Sequence, residues 1–258
     1  MLDELKQLLD YKEFLRQFTA QQLKTRYRAS VLGLFWTLLN PVLTCLVLST
    51  VFSYLNKWDM RTTSLFFFAG YMPWLFFVNG TMGATSSIIG NTHYVNRIYV
   101  PRLIFPIATT LVNLTDLAAG VVVVLGYMGL VGASFSPALA TIPISILVMG
   151  VFALGVSFLF AAVNVFLRDF QFLWTSVSFL WFFFTPILYR ITALPAHVRP
   201  YFAMNPLVPF ISLFQKPIYD GALPPLTTFG LAILYSVITL GVGLTAFSRS
   251  ERLFYLYL

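Results

Sequence analysis

Long gaps between charged residues decide the solvent in which this chain folds. Asp, Glu, Lys and Arg are absent from 29–56, 62–96, 170–189 and 221–248, and 103–167 carries Asp116 alone. A helix rising about 1.5 Å per residue needs roughly 20 apolar residues to cross a hydrocarbon core, so each of the first four gaps has room for one crossing. The fifth gap is too long for one, and the turn chemistry of 132–137 (Gly-Ala-Ser-Phe-Ser-Pro) folds it into a helical hairpin. Six spans are therefore expected, near 31–55, 64–89, 103–131, 138–167, 171–189 and 226–247. These runs are continuously apolar rather than alternating, which disfavours a β-barrel. A composition of 59% hydrophobic and 10% charged residues excludes soluble and disordered classes alike. The single cysteine, Cys45, excludes a disulfide scaffold.

The net charge of +7 reads as a topology signal rather than a nucleic-acid footprint. With the N-terminus inside, 11 of the 16 Lys and Arg residues fall in cytoplasmic segments and 5 (Lys57, Arg61, Arg190, Arg199, Lys216) outside. The positive-inside rule places both termini in the cytoplasm. About 30 mixed-charge residues precede the first apolar run with no cleavage site, so no signal peptide is expected. Within them Leu8, Tyr11, Leu15 and Phe18 recur at helical spacing among Lys12, Glu13, Arg16 and Gln17, the pattern of an amphipathic helix lying on the membrane surface. Such a helix serves as a topological anchor or as a docking collar for a cytoplasmic partner.

Two connections carry more than linkage. The cytoplasmic segment 91–102 mixes aromatics, polar groups and two arginines, and Pro101 and Pro106 stiffen its return to the membrane, which suits a short helix that transmits force. An ordinary basic loop is the simpler reading. The external stretch 190–224 contains Pro195, Pro200, Pro206, Pro209, Pro217 and Pro224, yet Leu207–Phe214 is too apolar to leave in water. Two short re-entrant or interfacial helices are expected there. Non-helical backbone at membrane depth survives only inside protein or beside a water-filled cavity.

Aromatic residues form 17% of the chain and crowd the outer halves of two spans, around Tyr71 and Trp74 and around Trp181 and Tyr189. An interfacial belt is the default for such rings, and stacking on sugar faces is the alternative. Asp116 is the one acid well inside a span, with Thr109, Asn113 and Gly120 on the same helix face. It marks either a polar helix seam or a proton or substrate site; no second intramembrane acid or histidine is present to relay a proton. His93 and His197 fall on opposite sides of the membrane in this topology, so no metal site and no catalytic residue is assigned. There is no phosphate-binding Gly-Lys-Ser/Thr loop, so ATP hydrolysis by that route is excluded for this chain.

Lys24-Thr-Arg-Tyr-Arg-Ala-Ser-Val-Leu-Gly-Leu-Phe-Trp36 with Asn40-Pro41, the segment Asn91–Pro106, Asn164-Val-Phe-Leu-Arg-Asp169, Thr185-Pro-Ile-Leu-Tyr189 and Asn205-Pro-Leu207 occur in order along nearly the whole chain. In these features the sequence resembles the transmembrane permeases of ABC-type polysaccharide exporters, which move O-antigen, capsule and teichoic-acid polymers. The resemblance implies an all-α homodimer in the bacterial inner membrane, with ATP and Mg held by two copies of a separate cytoplasmic subunit. It implies a lipid-linked polysaccharide as cargo. It makes 1–30 an interface helix, 31–258 the transmembrane domain and 190–224 an external gate. Asn91, His93, Tyr94, Asn96, Arg97, Tyr99, Val100, Arg26 and Arg28 become candidates for coupling to the ATPase, and Tyr71, Trp74, Trp181 and Tyr189 for the substrate channel. Asn113 and Asp116 remain the intramembrane polar pair. Export of a lipid or drug, and an ion-coupled secondary transporter using Asp116, are the alternatives.

Overall fold

A computed structural model describes residues 10–27, 34–57, 59–97 and 100–257, with side chains for all of these except 27, 34–37, 56 and 95–97. Its helices are α1 (Lys12–Tyr27), α2 (Leu34–Asn56), α3 (Met60–Ser87), α4 (Thr92–Arg97), α5 (Ile104–Val131), α6 (Ile142–Phe166), α7 (Phe170–Phe184), α8 (Arg199–Ala203), α9 (Leu207–Gln215) and α10 (Leu226–Glu251). Helix ends follow local chemistry. Asp59 caps α3 by accepting from the Thr62 amide at 3.0 Å, and α5 stops at Gly132, whose φ of 71° is left-handed.

Five helices are long and apolar enough to cross a membrane: Leu38–Leu55, Met60–Ser87, Ile104–Val131, Pro137–Phe166 and Leu226–Glu251. The expected fifth span at 171–189 is different. Its helix ends at Phe184, because Pro186 forces Thr185 into an extended conformation (φ −102°, ψ 131°), leaving 15 helical residues or about 22 Å. The chain nevertheless keeps running beside α3. Thr175 meets Met82 at 3.8 Å, Phe182 packs on Trp74 and Tyr71, Ile187 lies against Gly70, and the Arg190 guanidinium sits over the Phe66 ring. From Met82 to Phe66 these contacts follow roughly 24 Å of α3. The segment is thus a short helix completed by an extended tail.

That tail exposes backbone groups that lipid cannot satisfy, and the expected re-entrant region supplies the partners. Asn205 donates to the Phe184 carbonyl (3.1 Å) and the Thr185 hydroxyl (3.0 Å), while its own oxygen accepts from Trp181 Nε1 and from the Leu207 amide, both at 3.0 Å. The Gln215 amide donates to the Pro186 carbonyl at 3.1 Å. Gly70 makes room for it, since a Cβ there would fall 2.7 Å from Gln215 Nε2. Helix α9 is fully buried at Leu207, Phe210, Ile211, Leu213 and Phe214 and packs on α3, α6 and α10. The five-residue α8 is by contrast superficial, with Tyr201 exposed.

The tightest helix pair is α6 with α10. A Cβ on Gly243 would lie 2.0 Å from the Gly155 carbonyl oxygen, and one on Gly155 would lie 2.4 Å from the Leu240 amide nitrogen. Small residues let backbones touch where dispersion, not the hydrophobic effect, drives association. Ser236 adds a hydrogen bond to the Val148 carbonyl (2.9 Å).

Both ends of the described chain lie at one end of the bundle. Phe18 of α1 meets Phe105, and Phe254 packs with Leu103, Phe158 and Phe247. At the opposite end Ser64 bonds Tyr127 (2.5 Å), and Phe66 packs on Tyr219. Beyond Glu251, Phe254 is buried, and Arg102 donates to the Glu251 carbonyl at 2.7 Å.

Two substitution sets test this packing. Gly243→Leu or Gly155→Leu lowers detergent stability by several kcal/mol through overpacking against backbone, whereas Gly241→Leu, with nothing within 4 Å of its Cβ, is tolerated. Equal melting temperatures for Gly243→Leu and Gly241→Leu would contradict the close crossing. Asn205→Asp removes both amide donors and costs about 1–3 kcal/mol, read as a lower melting temperature of the purified protein.

Candidate functional site

At the end of the bundle that holds α1, two groups of residues expected to act separately meet. Helix α1 does not lie apart on a surface; it runs alongside α5 in the same direction. Phe18 stacks edge-on to Phe105 (5.4 Å between centroids) and, eight residues later, Arg26 reaches Asp116. Arg26 Nη1 donates to Asp116 Oδ2 at 2.5 Å and Nη2 to Asn113 Oδ1 at 3.4 Å; the Asn113 amide is itself tied to the Thr109 carbonyl at 2.8 Å. An acid midway along α5 is costly in hydrocarbon, and a guanidinium brought in by α1 offsets that cost. The polar seam is therefore an α1–α5 seam. Arg26, expected to couple to the ATPase, bonds into this seam while its side chain stays partly exposed at the cleft.

Helix α4 is pinned to the same unit. The Asn91 amide donates to the Ser87 carbonyl (2.7 Å), closing the end of α3. Tyr94 packs edge-on against Phe18 (5.7 Å) and Phe14 (6.4 Å), with the His93 ring tilted beside it at 4.1 Å. Val100 is buried with Phe18 and Ile104. A polar cleft of about 450 Å3 opens between α1, α3 and α5, bounded by Gln22, Arg26, Asn79, His93 and Asn113. Arg28 and Tyr99, and the side chains of Asn96 and Arg97, lie outside the described residues.

The four candidate channel aromatics part company. Tyr71 and Trp74 line a groove of about 300 Å3 with Thr44, Ser178 and Phe182, between α2, α3 and α7. Trp181 lines neither that groove nor the next: its indole N–H holds Asn205, and its ring packs on Phe77 and Trp174. Tyr189 donates to the Phe183 carbonyl (2.7 Å) and faces a separate cavity of about 550 Å3 at the end opposite α1. Sequence reasoning missed Asn205 as a hub, although an Asn two residues before an apolar helix is a capping signal. It missed Trp174, whose indole donates to Thr81 at 3.1 Å and ties α7 to α3. Among the described residues no group of three or more His, Cys, Asp or Glu could hold a metal ion.

The ion pair makes a sharp test. Arg26→Glu and Asp116→Arg each place like or unpaired charge in the seam and lower stability by at least about 1 kcal/mol, while the double exchange recovers most of it. Additive losses in the double variant, measured by thermal unfolding in detergent, would show that the two side chains do not pair.

Residues 13–219 match a family described as ABC-2 type transporter, a range running from α1 through the re-entrant α9. An O-antigen export system permease protein, RfbA of Myxococcus xanthus, is 28% identical over 98% of both chains. RfbA of Klebsiella pneumoniae is 26% identical over 92% of this chain and 91% of its own. The capsule polysaccharide export inner-membrane protein CtrC of Neisseria meningitidis is 22% identical over 96% and 95%. The match covers the α1–α4–α5 unit, the composite α7 segment and the buried α9 alike, so this all-helical, multi-pass chain belongs to the ABC-2 type transporter family.

Proposed function

We propose that this chain is the membrane permease of an ATP-driven exporter that carries a lipid-linked polysaccharide outward across the bacterial inner membrane. It works as a homodimer with two copies of a cytoplasmic ATP-binding subunit that holds ATP and Mg. The observation that carries this reading is the near full-length likeness to permeases named for O-antigen and capsule export. The geometry supports it. In a six-crossing topology, with the α7 segment as the fifth crossing, the end of the bundle that holds α1 faces the cytoplasm, as the Lys and Arg count requires.

The α1–α4–α5 unit is suited to coupling. A push on α4 passes through Tyr94 into the Phe14, Phe18 and Phe105 rings, and α1 carries it to the middle of α5 through Arg26 and Asp116. Close-packed rings transmit displacement because they resist compression. The same ion pair weighs against the ion-coupled alternative, since Asp116 already has Arg26 as its counter-ion.

Four measurements test the proposal. A pull-down in mild detergent recovers a stoichiometric ATPase subunit, and deletion of the permease gene abolishes surface polysaccharide while leaving lipid and drug efflux intact. Tyr94→Ala leaves the permease inserted but cuts export per ATP hydrolysed; normal coupling at wild-type expression would refute the assigned role of α4. Cysteines at Ser134 and Ala222 react with an impermeant external thiol reagent and one at Thr92 does not, and the reverse pattern would invert the topology.

A further inference from the structure

The cavity at the end opposite α1 is built by four separate pieces of chain: the α2–α3 turn, the first turns of α3, the extended tail after α7, and a π-turn at Lys216–Asp220. π-turns are rare and cluster at functional sites. This one ends at Gly221, whose φ of 62° is left-handed, and it places Tyr219 and Asp220 side by side. The Tyr219 ring lines the cavity with Phe66, edge to face at 5.2 Å. Arg190 stacks over Tyr219 at 4.8 Å and Phe66 at 5.8 Å, held by Asp220 at 3.1 Å, which Lys216 approaches at 3.6 Å. The aromatic wall is therefore fixed before any ligand arrives.

Thr62, Thr63, Thr192 and Tyr189 add hydroxyl groups to the lining, beside the apolar Phe67 and Ala193. The formal charges at the cavity balance, Lys57 and Arg190 against Asp59 and Asp220, and Arg190 is already paired with Asp220, so an anion held by Arg190 would have to break that pair. Flat rings beside hydroxyls, with charge cancelled, match a neutral sugar, which has an apolar C–H face and a rim of hydroxyl groups. A volume of about 550 Å3 lies within the range of small-molecule sites and admits a short stretch of glycan.

We propose that this cavity is an exit subsite within each protomer that binds a neutral segment of the exported glycan, with Tyr219 and Phe66 as its stacking wall. The inference rests on the export reading above and adds a place and a sugar class to it.

The test uses the permease–ATPase complex in phosphatidylcholine nanodiscs, with polysaccharide released from the exporting cells by mild acid as probe. Wild type binds it, Tyr219→Phe binds it nearly as well, and Tyr219→Leu weakens binding roughly tenfold through loss of the stacking face. Thr192→Trp, on the exposed rim, fills the mouth and abolishes binding even if Tyr219→Leu folds poorly. Unchanged affinity in Tyr219→Leu and Thr192→Trp, absent binding in wild type, or displacement of the glycan by phosphatidylglycerol would each overturn the subsite. None of these results touches the export reading, which stands or falls on the pull-down and the surface-polysaccharide assay.

Discussion

Every break in a helix inside an apolar bundle must find partners for the freed backbone groups, and much of this structure depends on how that demand is met after Phe184. Pro186 ends α7 too soon to match the long helices, so the chain proceeds extended where lipid offers no hydrogen bonds. Asn205 and Gln215 supply them, one at each end of the re-entrant α9. Because one partner lies two residues before α9 and the other ends it, α9 is drawn into the bundle and buried against α3, α6 and α10. The outer cavity follows from this, since the tail delivers Tyr189 and Arg190 to one wall and the turn after α9 delivers Tyr219 to another.

At the other end the organising element is α5. It receives aromatic packing from α1 at Phe105 and a charge from α1 at Asp116, so α1, α4 and the first half of α5 form one mechanical piece. The two contacts differ in kind. Ring packing is insensitive to salt and resists compression, whereas the ion pair is strong only while water stays out.

The aromatic wealth of the chain divides into three uses. Trp174, Trp181 and Phe77 pack edge to face on one another and the two indoles spend their N–H groups on Thr81 and Asn205, so they hold helices together. Phe172, Phe179 and Phe183 are exposed on α7, where lipid or a second copy of the chain covers such surface at no cost. Tyr71, Trp74, Tyr189, Phe66 and Tyr219 line open grooves.

The sequence by itself determined the helical class, the five long apolar helices, the apolar character of Leu207–Phe214 and the need of Asp116 for a partner. These properties are local: transfer of apolar surface into lipid is nearly additive along the chain, and an acid in hydrocarbon is costly whatever surrounds it. Only the tertiary structure decided that the partner is Arg26, 90 residues away, that Asn205 rather than a run of helix completes the segment after α7, and that Gly155 and Gly243 meet. Pro186 was legible as a helix stop, yet its consequence was not, because the groups that satisfy the freed carbonyls come from an element 20 to 30 residues downstream. Pairing between distant residues depends on which faces pack, and packing is a property of the whole bundle rather than of any window of sequence.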